Sequence, residues 1–417
     1  MLRILLLAIV LLASAAVAPI PASAATRIEV LSTTRFQLRH DLDGVRRAPL
    51  YEDLFASTRV GLPNRADFNG VALMKLGTTF GSVGGDFDLY LLNGTVHWRR
   101  LSLGVTAGRQ MLQTPGGLRI VDGISLTGRP HAKVRLTAAA GWIRDTEWND
   151  LDGGALLLQG GGSLHLLPGA NAGLELALRA GPTTTPRLDG RVHADALLPL
   201  PLTPRPWLIG SMRLDVGQLR RLRGGVSFHP IGPVSFEVLG RIDNAADHDG
   251  TMAERILANM TDSAVGGGGG GARLRSPGGV VVAANYLLTG YRVSEATEAL
   301  GHSVDASVRW RHETVTLSAD YMLRSSFGGS FHALGGGLSW VPHRVLGLRL
   351  AAQVVPYQKL RKPWQVAGWV LGEAAVRPAR QLEIAIGGEY RTGALMQHDV
   401  RLNARLVVHL VVWRKPA

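Results

Sequence analysis

The 417-residue sequence predicts an all-β protein, a single antiparallel up-and-down transmembrane β-barrel of about 22 strands. Three observations carry that expectation. Apolar and polar residues alternate in segments of about ten residues through most of the chain, which is strand periodicity with two unlike faces. An export signal precedes them. Short basic turns and longer variable loops take turns between the segments, as in barrels that cross an outer membrane.

The first 24 residues, MLRILLLAIVLLASAAVAPIPASA, have one basic residue, an apolar core and a small-residue end at Ala22-Ser23-Ala24. They read as a secretory signal peptide cleaved after Ala24. The apolar run breaks at Pro19 and Pro21, which argues against a retained anchor. Residues 25–417 then form one barrel domain, with no composition break and no second long apolar run. The chain has no cysteine, which excludes a lipid-anchored lipoprotein, a thiolate metal site and a disulfide scaffold.

The clearest alternation lies between Glu298 and Val412. Val315, Leu317, Ala319, Tyr321 and Leu323 share one face; Thr316, Ser318, Asp320 and Arg324 share the other, with Met322 the exception. A charge facing the lipid midplane costs about 2–4 kcal/mol, so the polar face should line a lumen.

Ten short turns punctuate the chain, at 62–67, 97–100, 128–131, 167–171, 200–205, 229–233, 275–279, 310–313, 341–345 and 377–381. Two strand-length runs separate each turn from the next, joined by connections such as 41–53, 81–85, 144–152 and 244–262. Ten turns imply 22 strands with both termini on the short-turn side, expected to be periplasmic. The run Gly266–Gly271 is poor strand material, expected to be bulged or looped, so the range is 18 to 22. Trp98, Trp207, Phe228, Trp310 and Trp340 lie beside short turns, and Phe80, Trp142, Tyr321 and Tyr390 nearer the loops, as two interfacial belts would require. The last run, Val400 to Trp413, resembles the closing strand of bacterial outer-membrane barrels.

Formal net charge is +13, and only Arg3 belongs to the signal. Behind an export signal, and with arginines spread over alternate strand positions, this excess does not point to nucleic acid. Outer-membrane lipid, lipopolysaccharide and anionic solutes or polysaccharide are the expected partners, with a periplasmic export partner as a further one. The expected lumen-lining residues are Arg59, Arg135, Arg191, Arg213, Arg223, Arg241, Arg309, Arg349, Arg401 and Arg405. Rings of basic side chains in a pore favour anions. Each arginine has a plainer role too, bracing the wall against an inward acid; Glu237 with Arg241, and Arg191 between Asp189 and Asp195, share inward faces.

No Gly-x-Ser-x-Gly elbow and no His-Glu-x-x-His pair occurs, so no catalytic residue is expected and no cofactor. His193, His229, His332 and His409 stand singly on strands as lumen or interface residues. Asp247, His248 and Asp249 are close enough in sequence to clip a cation, but a solvated polar loop is the better reading, and no metal is expected.

Gly108-Arg109-Gln110, then Pro115-Gly116-Gly117, then Arg119 and Asp122-Gly123 resemble a stretch of large porin-like barrels, the alginate-export family among them. In that family a Gly-Arg-Gln strand end precedes a loop carrying Arg and Asp. The resemblance covers about sixteen residues and implies an arginine-lined conduit for an acidic polysaccharide or other anion, with Arg109, Arg119 and Asp122 as the loop motif. That family suggests eighteen strands where the turns here imply 22. Two functions follow: an outer-membrane channel, porin or export conduit, or a structural or adhesive barrel in an envelope secretion or motility complex.

Overall fold

The computed structural model describes residues 26–414 apart from 41–45, 63–65, 81–84, 116, 145–153, 168, 182–184, 245–263, 295–296, 327–328, 360–361 and 394–398. The expected signal peptide therefore lies outside the described residues. The strands are β1 (Thr26–His40), β2 (Arg46–Leu62), β3 (Ala66–Phe80), β4 (Gly85–Trp98), β5 (Leu103–Thr114), β6 (Gly117–His131) and β7 (Val134–Ile143). Next come β8 (Leu156–Leu167), β9 (Ala170–Ala180), β10 (Arg187–Ala196), β11 (Arg205–Arg213), β12 (Gln218–Ile231), β13 (Val234–Asn244), β14 (Ala264–Arg275) and β15 (Val280–Ser294). The last are β16 (Thr297–His312), β17 (Val315–Ser326), β18 (Gly329–His343), β19 (Leu346–Lys359), β20 (Gln365–Ala379), β21 (Leu382–Thr392) and β22 (Asp399–Arg414). Each pairs antiparallel with its neighbours in sequence, and β1 meets β22 from Thr26↔Arg414 to Leu38↔Leu402. The result is a closed 22-stranded barrel with no open edge. All ten short turns join strands at the end that also holds Thr26 and Arg414.

Proline accounts for how four of those strands stop. Pro130, Pro230, Pro342 and Pro378 each fall where the register slips by a bulge, between Gly128 and His131, Phe228 and Ile231, Trp340 and His343, and Val376 and Ala379. A residue without an N–H cannot continue the ladder, so the strand bulges there and turns.

The glycine run corrects the expectation of a loop. Gly266–Gly271 forms most of β14, in continuous register with β13 and β15. A Cβ on Gly269 would stand 2.0 Å from the Tyr286 carbonyl oxygen, and one on Gly271 2.1 Å from Asn285 Oδ1. The neighbouring strand approaches too closely there for any side chain, which offsets the entropic cost of glycine in a strand.

The outer surface carries the apolar beat. Ile386 is 68% exposed, Leu334 63% and Val238 60%, with Leu350, Val370 and Leu402 beside them in the same set. Trp98, Trp340, Trp142 and Tyr390 point outward, near the two ends of the wall. Trp207 corrects the belt: it shares the inward face of β11 with Ser211 and Arg213, and its indole N–H donates to Glu237 Oε1 at 3.0 Å. Gly225, its direct partner on β12, leaves room for the ring to reach across to β13.

A circular barrel of this strand number, at ordinary spacing and tilt, would be roughly 44 Å across between backbone walls, more than side chains alone can fill. Part of the wall bends inward. Gly108, Gly123 and Gly141 are directly paired across β5, β6 and β7, and all three face the lumen. Cβ atoms there would lie 2.2, 2.1 and 2.4 Å from carbonyl oxygens of the adjacent strands, and Gly108 adopts a φ of 114°. Beyond this glycine row the β5–β6 hairpin leans over its neighbours. Gln159 Nε2 on β8 donates to the Gln113 carbonyl at 2.9 Å, and β5 touches β9, four strands along the wall. Beneath the hairpin Val121, Ile143, Ala155, Leu157 and Ala177 form a buried apolar cluster, joined by Leu112.

Candidate functional site: the arginines of the lumen

Every expected lumen arginine lies on the face opposite the exposed apolar set, because strand alternation is unbroken at each of them. Arg135 sits beside outward Leu136, Arg191 beside Val192, Arg349 beside Leu350, and Arg401 and Arg405 flank Leu402 and Leu406. Their partners divide them into two groups.

Five are braced. Arg213 Nε lies 3.0 Å from Asp215, Arg223 and Arg241 lie 3.5 and 3.7 Å from Asp243, and Arg401 lies 2.7 Å from Asp399. Arg405 reaches Glu373 and Glu383, both at 3.0 Å. The same bracing continues elsewhere on the inner wall: Arg324 Nη2 donates to both Asp305 oxygens at 2.9 Å, and Arg391 meets Glu389 at 2.6 Å. Asp189, 1% exposed, faces the buried guanidinium groups of Arg179 at 2.8 Å, Arg220 at 3.3 Å and Arg187 at 3.6 Å. Outside the strands, the turn residue Arg99 has its pKa raised by the hydrogen bond it donates to Asp67 and by that carboxylate's charge.

The other five, Arg59, Arg135, Arg191, Arg309 and Arg349, form no ion pair among the described residues. Their placement is not random. Arg59, Arg135, Arg309 and Arg349 each lie within three residues of the short-turn end of their strand, and Arg191 within five; the braced five lie seven or more residues in. Arg273, two residues from that end of β14, belongs with the five that form no ion pair among the described residues. Sequence reasoning missed it because it follows the glycine run; its two-residue offset from inward Gly271 was the available signal.

Arg309 and Arg349 share a recess of about 280 Å³ on the lumen wall, with Ser318, Asp320, Gln353 and Trp369. A second recess of about 700 Å³ adjoins it through Arg309 and adds Arg273, His229 and Asn285. Glycine makes this room: a Cβ on Gly335 would fall 2.4 Å from Asp320 Oδ2. Glu237, also at the wall, is occupied by Trp207 and by the Ser227 hydroxyl at 3.3 Å. The basic side chains here thus outnumber the acids that could neutralise them. An anion in either recess can be met by guanidinium N–H donors in forked geometry.

Several expectations change. Arg241 pairs with Asp243, not Glu237, and Arg191 with neither Asp189 nor Asp195; Asp195 takes Arg205 at 2.6 Å. Asp243, Asp399, Glu373 and Asp53, the partner of Arg35, are inward acids that the alternation reading overlooked. Two of them stand two residues from a braced arginine, Asp243 after Arg241 and Asp399 before Arg401, which was the legible clue.

The residues of the supposed loop motif are in strands. Arg109 is in β5, Arg119 and Asp122 in β6, and only the segment between Thr114 and Gly117 turns. Arg119 points inward and is 5% exposed. Arg109 and Asp122 point outward, in line with Met111 and Ile124, and pair with each other at 2.7 Å, so neither lines a conduit. His332 is also outward, its Nδ1 2.8 Å from the Tyr321 hydroxyl, whereas His409 meets Glu29 in the lumen. Asp247, His248 and Asp249 lie outside the described residues; among the described residues no cluster of three or more metal-ligating side chains occurs.

Neither a protein-family model nor a curated protein matches this sequence. Solved barrels are similar in outline. Acinetobacter baumannii OccAB1 shares 8% identity over 93% of this chain and 97% of its own, with a TM-score of 0.44. Pseudomonas aeruginosa OccK2, solved with glucuronate, shares 10% over 93% and 98%, at 0.43. The translocation pore of the P pilus usher PapC shares 8% over 92% and 100%, at 0.48. The strand count and closure of this chain rest on its own register.

Proposed function

We propose that the protein is an outer-membrane channel whose lumen selects anions at its periplasmic mouth. The observation that carries this is how the ten expected lumen arginines divide: the five deep in the wall each reach a carboxylate, and the five nearer the short-turn end form no ion pair among the described residues, although Arg27, Arg205 and Arg377 at that end pair with Glu29, Asp195 and Glu383. A wall that needed charge only for bracing would pair both groups alike. The apolar exterior fits a hydrocarbon layer, and a closed barrel leaves no backbone edge to satisfy in lipid. Short turns and both termini face the periplasm in such barrels, which puts the unneutralised arginines on that side.

Small anionic solutes and acidic polysaccharide both suit guanidinium-lined recesses, by passive diffusion or export. A structural or adhesive barrel is the alternative, and the apolar cluster under the β5–β6 hairpin favours it to the extent that it fills part of the lumen. Planar-bilayer recording separates them. A channel of this kind conducts, with a reversal potential in a KCl gradient displaced towards the chloride equilibrium potential. A correctly folded barrel that never conducts refutes the proposal.

A further inference from the structure

We infer that the outer face of β5, β6 and β7 holds a binding site for the phosphorylated headgroup of an outer-leaflet lipid. The observation is a charged trio on the wrong side of the wall. Arg109, Asp122 and Arg144 all project outward, in the same set as exposed Trp142, Ile124 and Leu136. None of them can brace the lumen. Near the lipid midplane such charges would be costly, whereas at the interface the cost falls to about 0–1 kcal/mol. Asp122 lies nine residues from the short-turn end of β6, and Arg144 just past the far end of β7. At ordinary rise and tilt that is about 22–25 Å along the barrel axis, the far edge of the apolar band. Trp142, 60% exposed and two residues before Arg144, marks the same level as an interfacial aromatic.

Within the trio the donors are unequally used. Arg109 gives Nε and Nη2 to the two Asp122 oxygens at 2.7 and 3.0 Å, and Nη1 to the Leu89 carbonyl at 2.8 Å. Its fork is spent. Arg144 gives Nε to Asp122, so the carboxylate fixes its guanidinium, while neither Nη group has a partner among the described residues and the side chain is 56% exposed. The trio carries one net positive charge. Below it Ile124, Leu136 and Leu126, each at least 42% exposed, offer an apolar track down the wall. A ligand with a phosphate at the interface and acyl chains beneath matches both parts. Charge-assisted fork geometry suits a phosphate oxygen pair.

The test uses the full barrel in non-ionic detergent and counts retained lipid by native mass spectrometry. Probes are diphosphorylated lipid A, the same lipid stripped of phosphate, and inorganic phosphate as competitor. Wild type should retain the phosphorylated lipid in preference to the stripped one. Arg144→Gln should weaken that retention about tenfold, the scale of one charge-assisted hydrogen bond. Arg144→Lys should keep part of it. Arg380→Gln, the same charge change in the turn at the opposite end, should behave as wild type, and heat-modifiable gel migration checks that each variant is folded. Equal retention by Arg144→Gln, or equal retention of stripped lipid by wild type, overturns the site. Displacement of the lipid by millimolar inorganic phosphate overturns the headgroup as its occupant.

Discussion

Arg309 and Arg349 offer the sharpest perturbation, because they line one recess, shared with Asp320, and neither forms an ion pair among the described residues. For a monovalent ion passing about 8 Å from a guanidinium, Coulomb's law in water gives ~0.5 kcal/mol. Screening at 0.15 M salt reduces this to ~0.2 kcal/mol per arginine; at 0.01 M, with a Debye length near 30 Å, ~0.4 kcal/mol survives. Two arginines therefore enrich anions about twofold and deplete cations about twofold at 0.15 M. The double variant Arg309→Gln/Arg349→Gln should lower the anion-to-cation permeability ratio about fourfold at 0.15 M and about fifteenfold at 0.01 M. Reversal potentials across a salt gradient in planar bilayers read this directly. The control is Arg324→Gln with Asp305→Asn, which removes an ion pair deeper in the wall without changing net charge. That control should leave the ratio within about twofold of wild type, the change two unpaired charges would otherwise exceed. An unchanged ratio in Arg309→Gln/Arg349→Gln, with wild-type conductance, would refute the claim that the unneutralised arginines set selectivity.

Three further perturbations probe the wall. Asp189→Asn should cost about 3–5 kcal/mol, since it strips the carboxylate from a buried group of three guanidiniums, and should lower the temperature at which the barrel unfolds in heat-modifiable gel migration. Gly269→Val should impair folding, with its Cβ forced to within 2.0 Å of the Tyr286 carbonyl, whereas Gly268→Ala, whose nearest atom is 3.8 Å away, should fold as wild type; in vitro folding yield into lipid vesicles compares them. Gly123→Ala should disturb the inward bend, placing a methyl 2.1 Å from the Ala140 carbonyl, and should change single-channel conductance more than anion selectivity, because the unneutralised arginines lie elsewhere.

Alternation alone made the fold legible. A period of two assigns a face to every residue of a strand, and a turn residue that cannot pair marks each end, so a count of turns is a count of strands. In the structure all ten of the expected lumen arginines lie on the face opposite the exposed apolar set. Alternation failed where local chemistry and long-range pairing disagree. Six consecutive glycines have poor strand propensity, yet β13 and β15 hold both edges of Gly266–Gly271, and the close approach of β15 leaves no room for a side chain at Gly267 and Gly269. Trp207 looked like an interfacial residue because of its position near a turn; parity with Ser211 and Arg213 would have turned it inward. Ion-pair partners were less legible, since an arginine has several inward acids within reach on two neighbouring strands. Arg405 illustrates this, reaching Glu383 on the next strand and Glu373 on the one beyond.

The stretch from Gly108 to Gly123 shows how a motif can be real while its reading is wrong. Its glycines and the Arg109–Asp122 pair lie on opposite faces of one hairpin, because a residue next to a lumen-facing glycine must face outward, whereas Arg119 shares the inner face with the glycines. Gly108 and Gly123 empty the inner face and let the sheet fold into the lumen; Arg109 and Asp122, one residue away in each strand, tie the two strands together on the outer face. Spacing in the sequence could not separate the two roles, since a hairpin register is needed to see that Gly108 meets Gly123 while Arg109 meets Asp122. Once the register is known, the division of labour follows from geometry. The bend narrows the lumen towards the long-loop end, where arginines are paired and the wall is packed with Val121, Ile143 and Leu157. Unpaired arginines are left towards the opposite mouth, where Arg309 and Arg349 line a recess in the wall. The lumen is thus narrowed towards one end while the unpaired Arg59, Arg135, Arg309 and Arg349 lie near the other, and that asymmetry constrains function more than the basic composition does.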